Sequence, residues 1–375
     1  MNKPELLVSV FFSDEVRAAI LGGADIIDCE DPRTDVGMYM PGDITDIVDA
    51  VRQAEDPRRI RTSVNIGASL QLYVTGSGGR ALARSDREVQ SRAAQEALGF
   101  AAALDLGDIR SNIIKFGVDG IHIDHVPPLV KAVKDVIRNS SRFHHYQVIG
   151  SFLPIDLDLW AQRKGNKFVV QQLVRQGVIY FDKDGTLDLN SFFSDQEVKE
   201  ILSGQSGQTK FNLIEPYSPA ELGLGGLDLD GRTKIYVEKI HEGGADGVMI
   251  DTPVQAKAAR ICLLEVPENK TNLGGTDLPL QGLYTQPRLQ KFVDYCEFFR
   301  MEAWTAGSVQ PYHAKVLGTM PNLDVVLCRG AVSSPPFNPF DPNAIPKKDR
   351  PSQRVDTKKV QAMVASLRGR AGPVP

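Results

Sequence analysis

The chain reads as an α/β protein of the (β/α)8 TIM-barrel class, a single domain over residues 1–375 carrying long insertions. Three observations predict this. Short β-branched runs alternate with helical patterns along the sequence, eight such runs can be found, and a Gly-Gly-Ala-Asp tetrapeptide introduces both the second and the sixth. Parallel strands need helical crossovers, so the alternation implies a parallel sheet. A doubly wound open sheet would also alternate; the count of eight favours closure.

The first run is Leu6–Phe11, followed by Ser13 as a candidate N-cap, Asp14 and Glu15 in a first helical turn, and a helix ending at Gly22-Gly23. The second is Asp25–Cys29, with a helix from about 42 to 54. The third is Arg61–Ile66, with a helix around 87–105. The fourth is Asn112–Phe116, with a helix around 126–138. The fifth is Tyr146–Gly150. The sixth, Gly247–Asp251, follows a helix at 232–242. The seventh, Glu302–Ala306, follows a helix at 288–300. The eighth is Asp324–Cys328, with a closing helix at 356–369. In both tetrapeptides the Gly pair sits where a helix C-cap wants a left-handed residue. Each following strand ends near an Asp with a Pro close behind, Asp28…Pro32 and Asp251-Thr252-Pro253, which makes Asp28 and Asp251 a matched pair.

Four stretches exceed a minimal barrel: 68–86 after strand 3, 155–231 after strand 5, 263–286 after strand 6, and the Pro-rich 333–355 after strand 8. Loops this long usually serve as lids, oligomer contacts or disordered segments. Three of them leave strands directly and would overhang the active-site face.

Composition narrows the function classes. The 375 residues are 42% hydrophobic and 24% charged, which is ordinary for a globular chain. A net charge of −4 offers nothing to nucleic acid or anionic membranes, so neither is an expected partner. The opening residues are too short an apolar run for a signal peptide, and no stretch approaches the ~20 apolar residues of a membrane span. Cys29, Cys262, Cys296 and Cys328 are few and scattered, and Cys29 and Cys328 lie in apolar strand runs where they read as small buried hydrophobes. A reducing cytoplasm is the expected compartment and a homo-oligomer the expected assembly.

Barrels place chemistry at the C-terminal ends of their strands. Those ends hold Ser9, Asp28, Glu30, Asn65, Lys115, Asp251, Ser308 and Arg329. One lysine among carboxylates suits carbonyl chemistry, because lysine can form an imine or transfer protons and carboxylates can shuttle them. Lys115 stands inside the apolar run Ile113-Ile-Lys-Phe-Gly117, where an amine is costly to bury unless paired. Asp28 and Asp251 could pair with it across the lumen; each could instead cap its own loop. Ala306-Gly307-Ser308-Val309 and Cys328-Arg329-Gly330-Ala331 follow strands 7 and 8, where barrels commonly hold phosphate. Gly307 and Gly330 would let the backbone approach the anion, and Arg329 could add a bidentate contact. Two further motifs are read as structural. Asp182-Lys-Asp184-Gly185-Thr, which copies a phosphatase motif, is better taken as a β-hairpin turn, and His122-Ile-Asp124-His125 lacks the partner cluster of a metal site.

Taken in order, Gly22–Asp28, Asn112–Gly117, Asp246–Thr252, Ala306–Ser308 and Arg329–Ala331 resemble (5-formylfuran-3-yl)methyl phosphate synthase, a lyase family. The resemblance covers the eight barrel units. It implies condensation of two glyceraldehyde-3-phosphate molecules to a phosphorylated furan aldehyde, with loss of phosphate and water and no metal or organic cofactor. It implies a proton-accepting role for Lys115 and site roles for Asp28 and Asp251. The family's imine-forming lysine falls on Glu30, and a further family lysine falls on Gln255. A carboxylate cannot form an imine. Either Lys115 or Lys257 takes over that step, or Glu30 serves an enediol-type acid/base route as in isomerases, or the barrel binds a phosphorylated metabolite without catalysis.

Overall fold

Eight parallel strands close on one another around a shared axis. The computed structural model describes residues 3–30, 41–54, 59–68, 86–105, 112–118, 121–153, 222–252, 261–268, 270–273, 276–279, 281–334 and 354–369. The strands are β1 (Glu5–Val10), β2 (Ile26–Cys29), β3 (Arg61–Ala68), β4 (Ile113–Gly117), β5 (Gln147–Phe152), β6 (Gly247–Ile250), β7 (Glu302–Thr305) and β8 (Val325–Cys328). They run in sequence order and β8 pairs with β1, so the sheet is a closed barrel. This is the TIM-barrel fold the alternation predicts. Around it stand α1 (Ser13–Gly22), α2 (Pro41–Arg52), α3 (Asp86–Leu104), α4 (Val126–Arg138), α5 (Leu229–Glu242), α6 (Gln286–Phe298), the short α7 (Pro311–Leu317) and α8 (Thr357–Arg368).

Alternation along each strand sorts the side chains. Leu6, Val8, Ile27, Cys29, Ile114, Val148, Val248, Val326 and Cys328 face the helices and join one outer core. Leu7, Ile26, Ile113, Ile149, Met249, Trp304, Ala306, Val325 and Leu327 form a second cluster, drawn from seven of the eight strands. Residues from opposite sides of a closed barrel can meet only in its lumen, so this cluster is the plug. Below it Arg61 bonds to Glu5 and to Gln147 (2.7 Å), Gln147 to Glu302 (2.7 Å), and Trp304 Nε1 donates to Glu302 (2.9 Å). That polar floor satisfies the one polar atom of the buried indole.

The Gly-Gly-Ala-Asp tetrapeptides do the same work twice. Gly23 and Gly244 take positive φ (95° and 84°) at the ends of α1 and α5. Asp25 accepts the Leu6 amide of β1 (2.9 Å) and pairs with Arg368 of α8 (2.7 Å). Asp246 accepts the Val148 amide of β5 (2.7 Å) and pairs with Lys134 of α4. A Cβ on Gly22 would overlap Val360 of α8, and one on Gly243 would overlap Val130 of α4. The two half-barrels, β1–β4 and β5–β8, are therefore built on one frame.

That frame corrects the expected match between Asp28 and Asp251. The Glu30 amide donates to Val10 O (3.2 Å), as the Asp251 amide donates to Phe152 O (3.2 Å). Cross-strand register puts Asp28 beside Ser63 and Met249 beside Trp304. Asp251 thus corresponds to Glu30, and Asp28 to Met249.

Other differences have local causes. The N-cap of α1 is Phe12, not Ser13, because Glu15 turns back to accept the Phe12 amide (3.0 Å). The stretch expected as a loop after strand 6 contains Ile261–Leu264 parallel to Gln281–Tyr284, and an antiparallel pair, Lys270–Leu273 with Thr276–Pro279. The apolar Ile-Cys-Leu-Leu run ties into the barrel rim, Leu263 donating to Gly307 O (3.2 Å). The Pro-rich loop leaves and rejoins through a two-residue pairing of Ser333–Ser334 with Arg354–Val355. The hairpin expected at 179–187 and most of the 155–231 insertion lie outside the described residues, as do Gln255 and Lys257.

Candidate active site

Two residues beyond Ile113, on the same inward phase of β4, stands Lys115. It is 1% exposed. Its Nζ donates to Asp28 Oδ2 at 2.6 Å across the lumen from β2. Ser9 Oγ of β1 donates to the same oxygen (3.2 Å), and Ser63 Oγ of β3 donates to Oδ1. One carboxylate therefore collects a donor from each of β1, β3 and β4 at the level just above the apolar plug. A buried ion pair of this kind is a weak source of net stability, because desolvating both charges offsets most of their attraction. Its presence in an otherwise apolar interior points to chemistry.

Electrostatics at Asp28 are contested. Burial pushes its carboxyl above the ordinary range and the nearby Glu30 carboxylate pushes the same way, while Lys115 and the Ser63 hydroxyl pull it down. Burial dominates, so the carboxyl titrates above an ordinary aspartate. The neighbouring Cys29 thiol is pushed far up by burial and by Asp28, and Cys328 is raised to about 12 by burial. Neither is a nucleophile in this setting.

The remaining predicted residues ring this pair. Glu30 and Asp251 are half-buried at the rims of β2 and β6, and Asp251 Oδ1 accepts the Thr252 amide (2.6 Å). Asn65 lies beside Lys115 in the β3–β4 register and accepts the Gly67 amide (3.0 Å), supporting the irregularity that ends β3. After β7, Gly307 and Ser308 both take positive φ (113° and 54°), and a Cβ on Gly307 would overlap the Thr252 hydroxyl. That hydroxyl is buried and has no hydrogen-bond partner among the described residues. His313, on the α7 turn that follows, accepts the Gln310 amide (3.1 Å). Burial lowers it to about 4, against a backbone hydrogen bond with Ser308 that acts in the other direction.

Arg329 has a different task from the phosphate contact expected of it. Its guanidinium makes a bidentate pair with Glu15 (both 3.0 Å) and donates to Ser9 O (2.8 Å). Glu15 also accepts the Phe11, Phe12 and Val355 amides (2.7, 3.0 and 3.0 Å). The pair stitches the start of α1, the end of β8 and the returning C-terminal segment together beside Gly330, which is half-buried in a 3-10 turn. With a planar fork already matched to a buried carboxylate, Arg329 is a rim strut. Glu15 and Ser63 were not among the expected site residues. Ser63 could have been found by stepping back two residues from Asn65 on the same strand face. Glu15 looked like an ordinary first-turn acid.

Among the described residues no three His, Cys, Asp or Glu side chains group as a metal site, and no helix is long and apolar enough to cross a membrane. Comparison with protein-family models and with curated protein sequences finds no match. Among solved structures the chain is similar to phosphoribosyl anthranilate isomerase from Thermotoga maritima, at 9% identity and a TM-score of 0.41 over 98% of this chain and 99% of that one. It is also similar to thiamine phosphate pyrophosphorylase from Pyrococcus furiosus, at 10% identity and a TM-score of 0.39 over 98% and 97%. A third is phosphoenolpyruvate phosphomutase from Streptomyces platensis subsp. rosaceus, at 10% identity and a TM-score of 0.37 over 87% and 76%. At such scores, what this barrel does has to be read from its own residues.

Proposed function

We propose that this chain is a barrel enzyme that moves protons on a small phosphorylated carbonyl compound, a lyase or aldolase-like catalyst acting on triose phosphate. The observation that carries the reading is the buried Lys115–Asp28 pair at 2.6 Å, placed at the strand C-termini on the inward face. An amine bound to a carboxylate offers hydrogen bonds and positive charge but no lone pair. Such a group suits an oxyanion better than it suits attack on a carbonyl. Glu30 stands where the resembled family keeps its imine-forming lysine, so the chemistry fits an acid/base route. A rim carboxylate, Glu30 or Asp251, takes a proton from the carbon beside the carbonyl, and Lys115 steadies the enediolate oxygen. Attack of the enediolate carbon on the carbonyl of a second triose phosphate, whose oxygen takes up a proton, forms the carbon–carbon bond, and ring closure with loss of phosphate and water completes a lyase cycle; return of the proton to the neighbouring carbon instead gives an isomerase.

The phosphate fits best at the Gly307–Ser308 turn. Two successive residues there take positive φ, and the Thr252 hydroxyl packed against Gly307, unpartnered among the described residues, could donate to an anion oxygen.

Purified protein incubated with glyceraldehyde-3-phosphate and with dihydroxyacetone phosphate tests the reading. The expected result is furan absorbance with released phosphate, or deuterium uptake from heavy water at the carbon beside the carbonyl, lost in Lys115→Ala. Absence of all three signals in wild type, or full activity in Lys115→Ala, rejects it. Borohydride should trap no adduct; a trapped adduct on Lys115 would replace the acid/base route with an imine.

A further inference from the structure

We propose that Ser63 is the positioning residue of the Lys115–Asp28 pair, fixing the carboxylate so that Oδ2 faces the amine and its charge is retained. The inference rests on the acid/base reading above, and two independent observations carry it.

The first is geometric. Asp28 and Ser63 are direct register partners on β2 and β3, and the Ser63 hydroxyl donates to Oδ1 while Lys115 and Ser9 take Oδ2. A carboxylate with donors on only one oxygen can rotate about its Cβ–Cγ bond. A donor on the second oxygen from a different strand removes that freedom. Ser63 is itself fully buried, so its hydroxyl has no water to bond instead. The charged groups facing Asp28 are Lys115 from β4 and Glu30 at the end of its own strand. Burial and Glu30 push the carboxyl up while Lys115 and the Ser63 hydroxyl pull it down, so removing the hydroxyl should raise it further.

The second is the duplicated frame. Register equates Asp28 with Met249, Ser63 with Trp304 and Lys115 with Leu327. The half-barrel that lacks the carboxylate and the amine lacks the Ser63 hydroxyl as well, although it keeps Ser151 beside Met249 where the first half has Ser9 beside Asp28. All three positions are polar together in one half and apolar together in the other. A serine serving only to fill space would have no reason to follow the pair.

Carboxyl-13C-labelled aspartate, incorporated into the full chain, reads the Asp28 resonance without any substrate; its loss in Asp28→Asn assigns it. Removing the Ser63 donor should raise the pH midpoint of that resonance in Ser63→Ala, and Ser63→Thr, which keeps the hydroxyl and suits a strand, should restore it. An unchanged or lowered midpoint in folded Ser63→Ala, or a raised one in Ser63→Thr, overturns the proposal. Unfolding curves establish that each variant is folded; if Ser63→Ala does not fold, a raised midpoint in Ser63→Thr overturns the proposal and a wild-type midpoint there upholds it. Because no turnover is needed, a failed substrate assay would count against the enzymatic reading and leave this result standing. Where turnover is found, Ser63→Ala should lower kcat at nearly unchanged KM and shift the basic-form limb of the pH profile upward, with recovery in Ser63→Thr.

Discussion

The two half-barrels share a frame and differ in what they hold inside it. Each has a Gly-capped helix end, an aspartate that binds the amide of the preceding strand, and a cation from the helix behind. At the level above the floor, the first half presents Asp28, Ser63 and Lys115, and the second Met249, Trp304 and Leu327. The polar half gives up hydrophobic burial for an ion pair; the apolar half packs. Frame and chemistry are thus separable: capping and strand entry are held in common, and function enters through inward side chains that the frame does not dictate.

The largest effect should come from making the polar half resemble the apolar one. Lys115→Leu installs the residue found at the equivalent position and leaves Asp28 buried without its cation. A stranded buried charge costs about 3–5 kcal/mol, and loss of a group that stabilises the enediolate oxygen costs about 100- to 1,000-fold in rate. Urea unfolding at pH 8 should show that loss, with activity falling to background. The double variant Asp28→Met with Lys115→Leu should recover most of the stability and none of the activity. A single variant as stable as wild type would mean that the pair carries no buried charge.

What the sequence could and could not reveal follows the same division. Strand count, closure and the Gly-capped repeats were readable because they depend on local periodicity and left-handed turns. Lys115 was readable because an amine in an apolar strand is anomalous anywhere. The pairing of Asp28 with Lys115, 87 residues apart, could only be offered beside Asp251, since strand-end position alone does not set register. Arg329 was misread because its partner Glu15 is 314 residues away and is recruited by the closing of β8 onto β1. The strands at 261–284 were missed because four-residue runs broken by Pro, Gly and Asn look like loop.

The apolar half has a buried titratable group of the opposite kind. His313 lies beside the Gly307–Ser308 turn and is held neutral, with burial lowering it to about 4 from an ordinary 6.5. Between those values the unfolded chain binds a proton that the folded one does not, so stability falls as pH drops through 6.5 and goes on falling to about 4. That interval corresponds to about 3 kcal/mol for this group alone. In His313→Gln, the unfolding free energy should be flatter over the same interval when measured by urea titration at half-unit steps. Asp28, raised by its burial, has the reverse slope: its contribution is fully present below the ordinary aspartate range and diminishes as pH rises. A His313→Gln profile as steep as wild type would place the acid sensitivity elsewhere in the barrel.

The smallest effect bears on the shared frame itself. Gly22 and Gly243 stand at helix ends where a Cβ would overlap Val360 and Val130, whereas Gly99 in α3 has open space around its Cα. Alanine at an open helical site should be neutral or stabilising by up to about 1 kcal/mol. At Gly22 and Gly243 the overlap should outweigh that gain, for a net loss of about 1–3 kcal/mol. The two losses should agree, because the obstructing valine and a nearby backbone carbonyl, Thr357 O in one half and Pro127 O in the other, are arranged alike. Val360→Ala and Val130→Ala should each relieve only the glycine variant they face, as double-mutant cycles on thermal unfolding would reveal. Unequal losses, or rescue by the wrong valine, would mean that the two tetrapeptides meet their helices differently, and the equation of Asp28 with Met249 and of Lys115 with Leu327 would lose the anchor from which it is counted.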